Sequence, residues 1–170
     1  GKKFDIIFCT DMLNLAEFKG LVDSAIAKLP SIIYFHENQL TYPVQVAKER
    51  DLHFALSNII SLNAADQVWF NSSFHKDSFF EAARKMLTRM PEDNMLDELT
   101  LAKNKSIIFP QAIHKNVLKR EPFSHPVHIG WIARWEFDKN PELFFSVLKK
   151  LKTRGIPFKL SVIGESFKNS

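Results

Sequence analysis

Short apolar runs alternate with stretches of helical period along this chain, and that alternation limits the folds that it can adopt. Apolar runs end near positions 10, 35, 70 and 109, and the segments between them repeat apolar residues every three or four positions. A strand–helix–strand order of this kind is typical of parallel sheets with right-handed crossovers. The sequence therefore predicts an α/β fold built on parallel sheets.

The predicted elements have plausible start and stop signals. We predict strands at 6–10, 32–35, 67–70 and 106–109, and helices at 15–29, 51–65, 74–88 and 92–103. Asn14, with Glu17 three residues later, has the spacing of a capping box, and Pro30 would end the first helix. Asn71, Ser72 and Ser73 are suitable N-cap residues for the third.

Periodicity is lost between about 111 and 126 and then returns. We predict a strand at 128–133, a helix at 141–152 and a strand at 158–164. Asn140 would be the N-cap of this helix and Pro141 its first residue. Residues 1–112 are then the C-terminal part of a first domain, 113–126 a linker, and 127–170 the beginning of a second domain. Because one β-α-β unit cannot cover a sheet alone, we expect the chain to be a piece of a longer two-domain protein.

The stretch SIIYFHENQLTYP, from Ser31 to Pro43, carries the first chemical signal. A buried strand runs without a turn residue into His36, Glu37, Asn38 and Gln39. Ligands of open α/β sheets bind beyond the carboxyl ends of the strands, which is where these side chains would lie. The alternative is a solvated loop whose side chains cap the next helix.

A second signal follows the strand at 128–133. Arg134, Lys139 and the N–H groups of a helix that begins at Asn140 and Pro141 would place positive charge at one sheet edge. That combination suits a diphosphate. The alternative is a pair of ordinary surface charges beside a helix start.

Composition and missing motifs exclude several classes. Cys9 is the only cysteine, which excludes a disulfide framework, and there is no P-loop, G-x-G-x-x-G or G-x-S-x-G motif. His125 and His128 lack neighbouring ligands for zinc, and the net charge of +4 is weak support for nucleic-acid binding. No apolar run is long enough to span a membrane and no signal peptide is recognisable, so we expect a cytoplasmic protein, or a nuclear one in a eukaryote.

The second signal, in IARWEFDKNPELF, resembles the donor motif G-R-x-x-x-x-K-N/G of the GT-B glycosyltransferases of family 4. Ala133 stands where glycine is usual. Three further stretches, FCTDMLNLAEF, YFHENQLTYP and AADQVWFNSSFHKDSFF, resemble the tRNA-queuosine α-mannosyltransferases within that group. The resemblance implies two Rossmann-like domains with the site between them. It also implies retaining transfer of mannose from GDP-mannose to the queuosine base of tRNA, with no metal and no other cofactor.

The resemblance also assigns roles to residues. Arg134 and Lys139 would neutralise the departing diphosphate, and His36 would hydrogen-bond and position the donor sugar. Donor- or acceptor-binding positions would be Glu37, Asn38, Gln39, Asp11, Asn14, Asn71, Ser72 and Glu165. Capping is an equally good interpretation of Asp11, Asn14, Asn71 and Ser72. The family's glycine-rich loop and paired-glutamate segment are absent from these 170 residues, so we expect the fragment to be inactive alone.

Two other functions stay open. One is a GT-B glycosyltransferase with a lipid, glycan or small-molecule acceptor, and the other is a non-catalytic module that binds a nucleotide or tRNA. A basic face formed by Arg84, Lys85, Arg89, Lys103 and Lys105 would favour tRNA.

Overall fold

The computed structural model describes residues 3–43, 52–91, 94–113 and 125–165. The chain divides into two compact units, Gly1–Tyr42 with Glu49–Ile113, and Pro43–Lys48 with His114–Ser170. Most of the predicted linker lies outside the described residues, and the assignment of the parts as acceptor-side domain, linker and donor domain stays a prediction.

The first unit contains a four-stranded parallel sheet whose strands lie in chain order. They are β1 (Ile7–Thr10), β2 (Ser31–Phe35), β3 (Gln67–Phe70) and β4 (Ser106–Ile108). The predicted α/β class with Rossmann-like parallel sheets is confirmed.

Two of the four helices predicted for this unit match within one residue at each end, and two differ. The observed helices are α1 (Leu15–Leu21), α2 (Ser24–Ala27), α3 (Leu52–Ala64), α4 (Ser73–Leu87) and α5 (Leu96–Asn104). A single helix over 15–29 was wrong, because the backbone becomes extended at Val22 and a second helix starts after Asp23. Gly20 weakens the first helix near its end, and Asp23 is a residue type that favours a new start. The last helix begins four residues later than predicted, after Met95 in a left-handed conformation.

Only one face of this sheet is packed by helices among the described residues. Right-handed crossovers between strands in consecutive order place their helices on the same side. On that side Ile33, Phe35, Val68 and Phe70 have no exposed surface. The opposite face is aromatic, and a shallow cavity of about 510 Å³ on it has Phe8, Tyr34, Trp69 and Phe109 among its lining residues.

The second unit is described over one β-α-β element. It comprises β5 (Val127–Ile132), α6 (Pro141–Thr153) and β6 (Phe158–Ile163), and the two strands pair in parallel. Asn140 accepts the N–H of Leu143 at 3.2 Å and so caps α6, as predicted. The helix packs on the sheet through aromatic rings, with Trp131 and Phe144 separated by 4.3 Å between ring centroids.

Candidate functional site

Polar residues follow three adjacent strands of the first unit and form one hydrogen-bonded group. Asp11 follows β1, His36 follows β2 and Asn71 follows β3. The register pairs Thr10 with Tyr34 and Phe35 with Phe70, so the three strands end side by side. We call Asp11, His36, Asn71 and His75 the strand-end cluster. Three of the predicted site residues, 11, 36 and 71, therefore lie together at one sheet edge.

Asp11 binds the loop after β2 through both carboxylate oxygens. Oδ1 accepts the backbone N–H of His36 at 3.4 Å and also pairs with Nδ1 of the His36 ring, while Oδ2 accepts the N–H of Glu37 at 3.3 Å. The Asp11 side chain has no exposed area. Burial raises the pKa of this carboxyl, and the nearby His36 ring and backbone donors oppose that effect.

Asn71 binds the same loop from the β3 side. Its Nδ2 donates to the carbonyl of His36 at 3.1 Å, which leaves Oδ1 as an acceptor for Nδ1 of His75 at 3.0 Å. His75 is 6% exposed and lies edge-on to Phe70. Burial lowers the pKa of His75, and the nearby His36 adds to this, whereas the Glu37 backbone opposes it. The backbone at His36 is therefore bound on both sides.

The other loop residues divide into a partly buried brace, Asn38, and a pair formed by Glu37 and Gln39. Asn38 accepts the N–H of Leu40 at 3.1 Å and donates to Ser78 at 3.2 Å, which fixes the turn against α4. Gln39 donates to the exposed carboxylate of Glu37 at 3.1 Å. The arrangement leaves Glu37 as the loop side chain most open to a ligand.

Two predicted positions act as helix caps. Asn14 accepts the N–H of Glu17 at 3.1 Å at the start of α1, and Ser72 accepts the N–H of His75 at 3.1 Å at the start of α4. Two residues of the site were not predicted from the sequence. One is Asn58, which donates to the Asp11 carbonyl at 3.0 Å, and the other is His75. The position of His75 in the first turn of α4, four residues after Asn71, is the signal that could have found it.

In the second unit, Arg134 and Lys139 lie in the loop between β5 and α6, and we call residues 134–140 the cation loop. Arg134 Nη1 lies 3.3 Å from Glu136 Oε1, and Lys139 pairs with Asp138. The Arg134 and Lys139 side chains are 46% and 38% exposed. The loop enters α6 through Asn140, whose φ is 49°. Both predicted cations therefore lie in the loop that leads into the N-terminus of a 13-residue helix, the positive end of the helix dipole.

Glu165 meets this loop through its backbone. Its carbonyl accepts the N–H of Trp135 at 3.2 Å. Gly164 permits the approach, because a Cβ at that position would lie 2.0 Å from the carbonyl oxygen of Ala133. The structure thus brings the predicted Glu165 beside the segment that carries Arg134.

Two lysines of the predicted basic face bond to other groups of this chain. Lys105 is not part of an open basic face, since its ammonium donates to the carbonyls of Asn63 and Ala65, and Lys85 pairs with Glu81. The described residues contain no group of three or more potential metal-ligating side chains. Within the same described ranges, no helix combines the length and apolarity needed to cross a membrane.

Comparison with known proteins identifies the family. Residues 1–113 match the family described as the N-terminal region of tRNA-queuosine α-mannosyltransferase. The tRNA-queuosine α-mannosyltransferase of Drosophila melanogaster is 34% identical over 175 residues, an alignment that covers 96% of this chain and 46% of that protein. The chain therefore spans about half the length of this curated relative. No solved structure matches. The family inferred from the sequence motifs is confirmed: this chain belongs to the tRNA-queuosine α-mannosyltransferase family.

Proposed function

We propose that the longer protein containing this chain transfers mannose from GDP-mannose to the queuosine base of tRNA with retention of configuration. The observation that carries the proposal is the match of residues 1–113 to the family's N-terminal region, which includes the whole strand-end cluster. The GT-B and family 4 assignments, the GDP-mannose donor and a cytoplasmic location are parts of the same proposal.

The geometry supports a division of roles. His36, 31% exposed at its side chain, would hydrogen-bond the donor sugar, and the exposed Glu37 with Gln39 would contact sugar or acceptor. Asn14, Asn38, Asn71 and Ser72 would shape this site through the caps and braces that they already form. Asp11 lies beneath His36 with its side chain buried.

The cation loop supplies the proposed diphosphate site. Arg134, Lys139 and the N-terminus of α6 would stabilise negative charge as GDP departs, and Glu165 would contact the donor nearby. We assign no metal or other cofactor to this step, because the side chains themselves supply two positive charges. Activity that persists in excess EDTA is the expected result.

A nucleoside-mass assay tests the proposal. The full-length protein is incubated with GDP-mannose and either queuosine-containing tRNA or matched tRNA that carries guanine at the same position. A hexose gain on queuosine alone is expected, and it should be lost in His36→Ala. GDP-mannose turnover without that gain would indicate another acceptor, and tRNA or nucleotide binding without turnover would indicate a non-catalytic module. Either result would overturn the proposal.

A further inference from the structure

His36 has one buried and one available ring nitrogen. Nδ1 has no exposed surface and lies against Asp11 Oδ1. Among the residues that the structure describes, Nε2 has no hydrogen-bond partner, and the side chain retains 31% exposure. A ligand that approaches this ring therefore meets Nε2.

A buried carboxylate beside Nδ1 determines which nitrogen carries the proton. Asp11 Oδ1 is an acceptor, so an Nδ1–H is favourable there, whereas a lone pair on Nδ1 would face negative charge. The same carboxylate accepts two backbone N–H groups of the loop, which fixes its orientation toward the ring. Asn58 in turn holds the Asp11 backbone.

We propose that Asp11 is a positioning residue for His36: it holds the proton on Nδ1, so that Nε2 of the neutral ring accepts a hydrogen bond from a ligand hydroxyl. Asp11 thus acts through His36 and does not touch the ligand itself. The inference rests on the proposed function, since it takes that ligand to be the hexose of the donor. A sugar hydroxyl is the matching chemical group, because it can donate to Nε2.

Among the residues that the structure describes, three charged or titratable groups lie close to His36. Asp11 faces the ring from the loop after β1, His75 lies nearby on α4, and Glu37 is the next residue of the same loop. Asp11 carries the negative charge in direct contact with the imidazole. Its removal should therefore weaken the preference of the ring for the Nδ1–H form.

The first measurement needs no substrate. In full-length protein labelled with ¹⁵N-histidine, two-dimensional ¹H–¹⁵N NMR reports which nitrogen of each ring is protonated, and His36→Gln assigns the His36 signals. Near neutral pH we expect the Nδ1–H form of His36. An Nε2–H form in the wild-type protein would overturn the inference even if every Asp11 variant failed to fold.

The second measurement is kinetic. Asp11→Asn keeps the shape of the side chain and removes its charge, and we expect kcat to fall about 10- to 100-fold with a small change in KM for tRNA. The ¹H–¹⁵N spectrum of Asp11→Asn should also show a larger share of the Nε2–H form of His36, which a purely structural defect would not cause. Ser61→Ala is the matched control. Ser61 hydrogen-bonds Leu13 and Leu15, which follow Asp11 in the chain, and it does not contact His36.

The outcomes separate this inference from the proposed function. An Nδ1–H ring in a protein that transfers no mannose would overturn the proposed function and, with it, the hexose at Nε2. Mannose transfer with an Nε2–H ring would overturn the role of Asp11 alone. An equal kcat loss in Ser61→Ala, or an unchanged share of the Nδ1–H form in Asp11→Asn, would show that Asp11 only braces the loop.

Discussion

The strand-end cluster and the cation loop both follow parallel strands, yet they are held in place by different forces. In the cluster, buried and partly buried side chains bond one another and the backbone, so that Asp11 and Asn71 bind the loop at His36 from two sides. In the cation loop, Arg134 and Lys139 are substantially exposed and bond to acidic neighbours on the same loop.

This difference indicates which of the two sites could exchange its present partners for a ligand at lower free-energy cost. The Arg134–Glu136 pair is partly exposed, and exposed ion pairs contribute little to stability, so a diphosphate could displace Glu136 at small free-energy cost. The Asp138 side chain is only 9% exposed, so its pair with Lys139 is held more firmly. Displacement of a buried carboxylate such as Asp11 would leave backbone N–H groups without acceptors and cost more. The cluster is thus preorganised, whereas the cation loop carries charge that is available for exchange.

Arg134→Ala tests the cation loop and should have the largest effect. Loss of one charge-stabilising contact typically lowers rate by about 100-fold or more, while the folded state loses only an exposed pair. Mannose transfer by the full-length protein should fall by that factor, with an unchanged melting temperature.

Arg154→Ala is the control, because Arg154 is also exposed but follows the far end of α6. An equal loss of activity in Arg154→Ala would mean that general positive charge matters more than the position of Arg134.

Gly164→Ala tests how tightly the cation loop depends on its neighbour. The added methyl group would lie 2.0 Å from the Ala133 oxygen, so β6 or the loop must shift, at a cost of about 3 kcal/mol. Gly130→Ala is the control, since a Cβ there meets nothing within 4 Å. Urea unfolding of both variants measures the difference, and equal midpoints would show that the approach at Gly164 is not required.

Substitutions at Asn140 test what stabilises the start of α6. Asn140→Ala removes a side-chain cap and places alanine at a φ of 49°, and together these should cost about 2 kcal/mol. Asn140→Gly removes the cap but tolerates that φ, so it should cost only about 0.5 kcal/mol. Thermal unfolding of the two variants separates backbone strain from capping. Equal losses would assign the whole effect to the cap.

Local sequence signals predicted the strands well and the first helical region poorly. Gln67–Phe70 matches its prediction because an apolar run between polar residues reflects burial directly. The break near Val22 was missed because Leu15, Phe18, Val22 and Ile26 keep a helical period across it. Periodicity records which residues face the core, and two short helices in line can keep the same spacing as one.

The site was predictable as a list of loop residues but not as a set of contacts. The end of the second strand identified His36 and the family resemblance added Asp11 and Asn71, whereas the contribution of His75 depends on where α4 packs. Whether Asp11 faces solvent or the His36 ring is decided by pairing between β1 and β2, which a single sequence does not contain.

The pH dependence of stability should distinguish the buried cluster from the cation loop, although this is the smallest effect. Burial lowers the pKa of His75 below its ordinary value of 6.5, so the unfolded chain takes up a proton before the folded one does. The stability that neutral His75 supports is complete above that value. It is lost as pH falls below 6.5, until the folded-state pKa is reached. The cation loop, residues 134–140, contains no histidine.

His75→Gln should therefore reduce the loss of stability between about pH 7 and pH 5.5, measured as the shift in urea midpoint. His53→Gln, at an exposed histidine on α3, is the matched control and should leave the slope unchanged. A wild-type slope in His75→Gln would place the acid sensitivity elsewhere. The cluster would then be held by the Asp11 and Asn71 contacts without a contribution from the neutral state of His75.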